Sequence, residues 1–221
     1  MIMTKKNLFL TLFICLLAGG CAAKKVELTQ TGFLRDYAQL KEDDRQEGVL
    51  IYRNESVDLT QEYTKVMIAP VVIMLDQSEG KKELSQEDTS KLANFFYGKL
   101  HEKLQGHYEI AMEPGEGVLL LRSALTNLLA NRRYLNIHWS TTLMGAGIGG
   151  ASIEAELVDS LTNERVLAFT DARKGDRLNL KKPGELLPTY TDGLTKWGHT
   201  ESVLEYWAQA LVDNLEDLKN R

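Results

Sequence analysis

The chain has 221 residues, 43% of them hydrophobic, with 26 Lys+Arg against 31 Asp+Glu and only 17 Gly and 4 Pro. These fractions exclude low-complexity disorder, collagen and a polytopic membrane protein, and two cysteines are too few for a disulfide scaffold. The net charge of −5, with basic residues gathered into nothing longer than pairs such as Arg132-Arg133, excludes a nucleic-acid binder.

Lys5 and Lys6 precede an apolar run from Leu8 to Leu17 that only Thr11 interrupts. The run is about half the ~20 residues a spanning helix needs, and it reads as the h-region of a signal peptide. Ala18, Gly19 and Gly20 then stand directly before Cys21, a pattern that resembles the lipobox of bacterial lipoproteins, with Ala18 where the commonest form has Leu. Cys15 does not suit that role, because Phe13 and Ile14 are too bulky for the cleavage site. The resemblance implies that residues 1–20 are removed and that Cys21 becomes the first residue, carrying a diacylglycerol on its thiol and an acyl chain on its amine. Two or three chains, at ~0.8 kcal/mol per buried methylene, give durable attachment to a membrane. The mature chain would keep 24 basic against 31 acidic residues, a net of −7, and no free thiol for catalysis, a disulfide or a metal. Ala22, where Asp would resemble an inner-membrane retention signal, points to the outer membrane with the body facing the periplasm. Residues 21–32 are the lipidated anchor and polar tether, and residues 33–221 a single α+β domain, long enough to bury a core without staples.

Within that domain, residues 33–63 read as a docked irregular segment with a short strand at 49–53. The continuous apolar run Lys65 to Leu75 reads as a buried strand, with a bulge or an edge at Pro70 because proline donates nothing to the ladder. Ser85 with Asp88 marks a helix start, and Leu92, Phe96, Leu100 and Leu104 recur at helical spacing until Gly106. Strands at about 107–112 and 117–130, separated by Glu113-Pro114-Gly115-Glu116, suggest a hairpin. Ile153, Ala155 and Leu157 alternate with Ser152, Glu154 and Glu156, which predicts a strand with one wet face, and Glu164 to Arg173 is its hairpin partner. After a long loop, 176–199, a last helix at about 200–219 carries Leu204, Trp207, Leu211 and Leu215 on one stripe, with Ser202 and Glu205 as a capping box. The expected fold is α+β, a mainly antiparallel sheet of hairpins with two helices packed on one face.

Several stretches together resemble a known family: the lipobox with Cys21, the opening segment Thr31-Gly32-Phe33-Leu34-Arg35-Asp36-Tyr37, the hairpin Glu154 to Arg165, and Glu205-Tyr206-Trp207-Ala208. They look like the envelope lipoproteins grouped as a domain of unknown function (DUF3313). The resemblance implies location and fold but no catalytic residues. Thr162-Asn163 stands where such hairpins often have Thr-Gly, and Asn tolerates the left-handed backbone that the turn needs.

Gly145-Ala146-Gly147-Ile148-Gly149-Gly150 matches the dinucleotide fingerprint G-x-G-x-x-G, but it leads into a strand where that site needs a helix N-terminus. It reads better as a glycine-rich connection. Its apolar residues Leu143, Met144 and Ile148, together with Gly145, Gly147, Gly149 and Gly150, also make it a candidate interaction loop. His101 and His107 are six apart and do not share a helical face for a metal, and His138 with Ser140 and Asp159 lacks a nucleophile elbow. Glu154 and Glu156 share a strand face at about 7 Å and could divide acid and base roles on a glycan, although a solvated face explains them as well. Tyr190, Trp197 and His199 either form a platform for a glycan or peptide or pin the loop to the core.

The expected function is that of a non-catalytic outer-membrane lipoprotein, an accessory or assembly subunit that uses no cofactor and binds another envelope protein. The alternative is a periplasmic lipid- or small-ligand-binding module.

Overall fold

The computed structural model describes residues 30–46, 48–74, 84–129, 150–174 and 197–220. The elements are β1 (Lys41–Glu42), β2 (Leu50–Arg53), the single turn α1 (Leu59–Glu62), β3 (Lys65–Ile68), β4 (Val72–Met74), α2 (Gln86–Leu104), β5 (Glu109–Ile110), β6 (Val118–Leu129), β7 (Gly150–Asp159), β8 (Arg165–Lys174) and α3 (Gly198–Lys219). The strands form one sheet in the order β1-β2-β8-β7-β6-β3-β5, and β4 also pairs with β6.

The α+β class holds, but the sheet is mixed where hairpins throughout were expected. β6, β7 and β8 form long antiparallel pairs, while β3 runs parallel to both β5 and β6 and lies between them. The segment 107–130 is therefore no hairpin. β5 and β6 run in the same direction on either side of β3, so the connection 111–117 that holds Glu113-Pro114-Gly115-Glu116 leads the chain back past the end of β3 to start β6, with Val118 N donating to Gly115 O at 3.3 Å. The α2 crossover between β4 and β5 makes the parallel pairing possible, since parallel neighbours need a long connection.

Pro70 behaves as its chemistry requires. Ile68 pairs with Leu121 and Val72 with Ala124, so four steps on one strand match three on the other, and one extra residue bulges out where the ladder lacks a donor. The β7–β8 turn places Asn163 at φ 61, the left-handed conformation that Asn accepts.

One apolar cluster joins the sheet to both long helices. Leu121, Leu125, Ile153, Leu157 and Leu167 meet Leu92, Phe96, Leu100 and Leu104 of α2 and Leu204, Trp207, Leu211 and Leu215 of α3. The Ser85 hydroxyl caps α2 by accepting from Asp88 N at 3.1 Å. At α3 the expected capping box is absent. The helix begins earlier, at Gly198, because Trp197 is buried and its indole donates to Asp88 Oδ1 at 2.8 Å, tying the two helix starts together. Ser202 lies inside the first turn, its hydroxyl donating to Gly198 O, and Glu205 pairs with Lys99. Among the described residues, the strands at the two ends of this order, β1 and β5, are two residues long, and β4, which pairs only with β6, is three.

Two glycines give substitutions of opposite sign. Gly117 has φ +71, and a Cβ there would lie 3.2 Å from Glu62 O. Gly98 lies inside α2 with open space around it. Gly117→Ala is expected to lose about 2 kcal/mol of stability and Gly98→Ala to gain about 0.8 kcal/mol, as read by urea unfolding of the two variants.

Candidate functional site

Ile153, Ala155 and Leu157 point toward the helices, so strand alternation sends Glu154 and Glu156 to the opposite face of the sheet. That face is not wet, as the alternation alone suggested. Glu154 is 1% exposed and Glu156 3% exposed, because the segment from Thr31 to Tyr37 lies across them as a strap. Thr31 N donates to Glu154 Oε1 at 2.8 Å, Leu34 N to Oε2 at 3.4 Å, and the Tyr37 hydroxyl also donates to Oε2. The same hydroxyl accepts from Gly32 N at 2.9 Å, folding the strap on itself, and the Leu34 side chain is buried beneath it. Burial raises the Tyr37 phenol above its ordinary value, and the hydrogen bond and charge of Glu154 push it the same way.

Glu156 is held differently. Arg122 sits directly across the β6–β7 ladder, its Nη2 2.9 Å from Oε1, and Arg165 Nε donates to Oε2 at 3.3 Å. Arg165 Nη1 also donates to Asp36 O at 2.9 Å, fastening the strap a second time. Removing Glu156 would leave two largely buried cations without their shared anion, which makes the arrangement costly to break. An acid–base pair acting on a glycan needs both carboxylates open to substrate and water. Here the strap seals them.

The other singled-out residues do not converge on this site. His101 is half-buried on α2, and His107 Nδ1 lies 3.2 Å from Glu216 Oε1 near the end of α3. Among the described residues no three His, Cys, Asp or Glu side chains gather where they could hold a metal ion. Trp197 takes the pinning role, buried and bonded to Asp88. Cys21, Leu143, Met144, Gly145, Gly147, Ile148 and Gly149 lie outside the described residues, as do His138, Ser140 and Tyr190. Gly150 opens β7, so the glycine-rich stretch does lead into a strand. Tyr206 and Trp207 fasten α3 to β8: the Trp207 indole donates to buried Asp171 Oδ2 at 2.8 Å, and Arg173 stacks 4.5 Å from the Tyr206 ring centroid. An open groove of about 630 Å³ runs beside β1 and β2, lined mainly by polar and charged side chains including Lys41, Asp44, Asn54 and Glu55.

Sequence reasoning expected a docked irregular segment from residue 33 but did not place it over the two carboxylates, and it missed the two arginines. One signal was present: Arg122 stands inside the apolar run of β6, and a cation there needs a buried anion opposite.

The strap gives two linked expectations. Glu154→Ala strands three donors and is expected to cost about 3 kcal/mol, Tyr37→Phe about 1 kcal/mol, and a double-mutant cycle in urea should show coupling. Because the folded-state value of Tyr37 is raised above its ordinary value of about 10, its contribution is complete below that pH and is lost as pH rises through the folded value. A stability-versus-pH series should therefore show an alkaline loss that Tyr37→Phe reduces.

No curated protein matches the chain. Among solved structures, it is similar to a PelC dodecamer from Paraburkholderia phytofirmans, at 13% identity over 76% of this chain and 95% of that one, with a TM-score of 0.42. It is also similar to the hypothetical protein CT253 from Chlamydia trachomatis, at 9% identity over 69% and 97%, with a TM-score of 0.39. A third is lipoprotein GNA1162 from Neisseria meningitidis, at 9% identity over 59% and 93%, with a TM-score of 0.27. Likenesses at this level carry nothing about ligand, partner or assembly. The match that decides the family spans residues 29–211, most of the chain, and by it the chain belongs to the family described as protein of unknown function (DUF3313).

Proposed function

We propose that the protein is a lipid-anchored accessory subunit of the outer membrane, facing the periplasm, that binds another envelope protein and performs no catalysis. The observation that carries this reading is the strap. The residues that begin ten positions after Cys21 are fastened to a buried carboxylate of the sheet, so the tether leads straight into a fixed point of the fold. Ten residues span at most about 35 Å, which keeps the point of attachment within that reach of the lipid surface. The two carboxylates with spacing for acid–base chemistry serve this fastening and are closed to substrate. No helix among the described residues is long and apolar enough to cross a membrane, and the attachment proposed here is through acyl chains on Cys21.

Two measurements test the reading. Cys21→Ser should move the protein from the membrane pellet to the soluble periplasmic fraction and abolish palmitate incorporation; retention in the pellet would overturn the anchor. Purification of the native protein in mild detergent, with mass spectrometry of everything that accompanies it, should recover a stoichiometric envelope protein. Recovery of the protein alone with a bound lipid or small molecule would instead make it a ligand-binding module.

A further inference from the structure

We propose that the end of the sheet formed by segments 54–64, 111–117 and 159–164 is the docking surface for a basic protein partner. This rests on the protein-binding role proposed above and names its surface. The three segments form one rigid unit. Asn54 Nδ2 donates to Glu164 Oε1 at 3.1 Å, the Tyr63 hydroxyl to Asp159 Oδ2 at 3.1 Å, Gly115 N to Ser160 Oγ at 3.0 Å, and Thr64 N to Gly117 O at 3.2 Å. The β7–β8 turn is braced from within, since Asp159 Oδ1 accepts from Leu161 N and Thr162 N at 3.0 and 2.7 Å.

Charge distinguishes this end. Glu55, Asp58, Glu62, Glu113, Glu116 and Glu164 are all exposed, Asp159 is half-buried, and the three segments contain no Lys or Arg. With these seven acids set aside, the chain has 24 acidic residues against 26 basic ones, so its net negative charge is concentrated here. Of the cations that flank these segments in the chain, Arg53 pairs with Asp43, Lys65 with Glu109 and Arg165 with Glu156.

Apolar exposure is the second, independent observation. Met112 is 85% exposed and Leu161 60% exposed, more than any other large hydrophobic side chain among the described residues. A lone exposed apolar residue is ordinary. These two stand on adjacent loops that the Gly115–Ser160 bonds clamp together, so they are presented by braced backbone. At a protein interface an apolar centre supplies affinity, and charges around it steer the encounter and select a partner of opposite sign. The carboxylates do not converge on one cation position among the described residues. Their complement is a spread of Lys and Arg side chains around an apolar recess, rather than a metal ion.

The test is site-specific photocrosslinking in the full-length, membrane-attached protein, with a benzoylphenylalanine probe at position 112 or 161 and at exposed Tyr97 as a control. Positions 112 and 161 should both label one envelope protein, at a peptide rich in Lys or Arg. Labelling should fall by about tenfold in the variant carrying Glu113→Lys, Glu116→Lys and Glu164→Lys, while the control position is unchanged. A matched melting temperature establishes folding of that variant, and Leu161→Ser alone serves if the triple variant fails to fold. Labelling of lipid, of a second copy of this chain or of an acidic peptide, labelling insensitive to charge reversal, or none at all would overturn the surface. If a stoichiometric partner still co-purifies in that case, or is lost on Gly147→Asp, only the surface is wrong. If no partner co-purifies, the subunit role falls with it.

Discussion

A carboxylate in the middle of a sheet face cannot be buried without donors, and Glu154 finds three in the residues that lead into the domain. That requirement organises the second face of the sheet. Tyr37 is placed by it, Leu34 is buried by it, and Arg165 reaches from beside Glu156 to hold the same segment at Asp36. The helices fill the first face by apolar burial. The second face is filled by a polar fastening, and in this way a sheet with helices on one side becomes closed on both.

The mixed pairing of the sheet has a comparable logic. β6 is the longest strand and serves two partners of opposite sense, β7 along its length on one side, and β3 followed by β4 on the other. The bulge at Pro70 lets one lane of chain occupy both stretches of that side. The α2 crossover then delivers β5 to the outside of β3, and the chain returns across the end of the sheet before β6 begins. The crowded acidic loops there result from this path.

Much of this was legible in the sequence. The helix capped by Ser85, the bulge at Pro70, the β7–β8 hairpin with Asn163 at its left-handed corner and the apolar stripe of α3 each follow from a local rule: spacing, a missing donor or a permitted backbone conformation. The errors share a different cause. A hairpin between β5 and β6 was inferred from turn-forming residues, yet which strand lies beside which depends on residues far apart in the chain. Glu154 and Glu156 looked solvated because alternation identifies the face but not what covers it. The cover comes from residues 120 positions away, written in small polar and aromatic side chains with no periodicity.

The shortness of the outer strands has its own consequence. Among the described residues β1 offers only Lys41 and Glu42, both exposed, β5 only Glu109 and Ile110, and β4 only Val72 to Met74, so these borders give a neighbouring chain little backbone to extend. Molecules tethered to a lipid surface collide in two dimensions, at far higher local density than in solution. A sheet ending in a long bare strand would zip to its neighbours under such crowding. If the proposed anchor holds the chain there, clipped borders leave side-chain surfaces, rather than backbone, to choose its contacts.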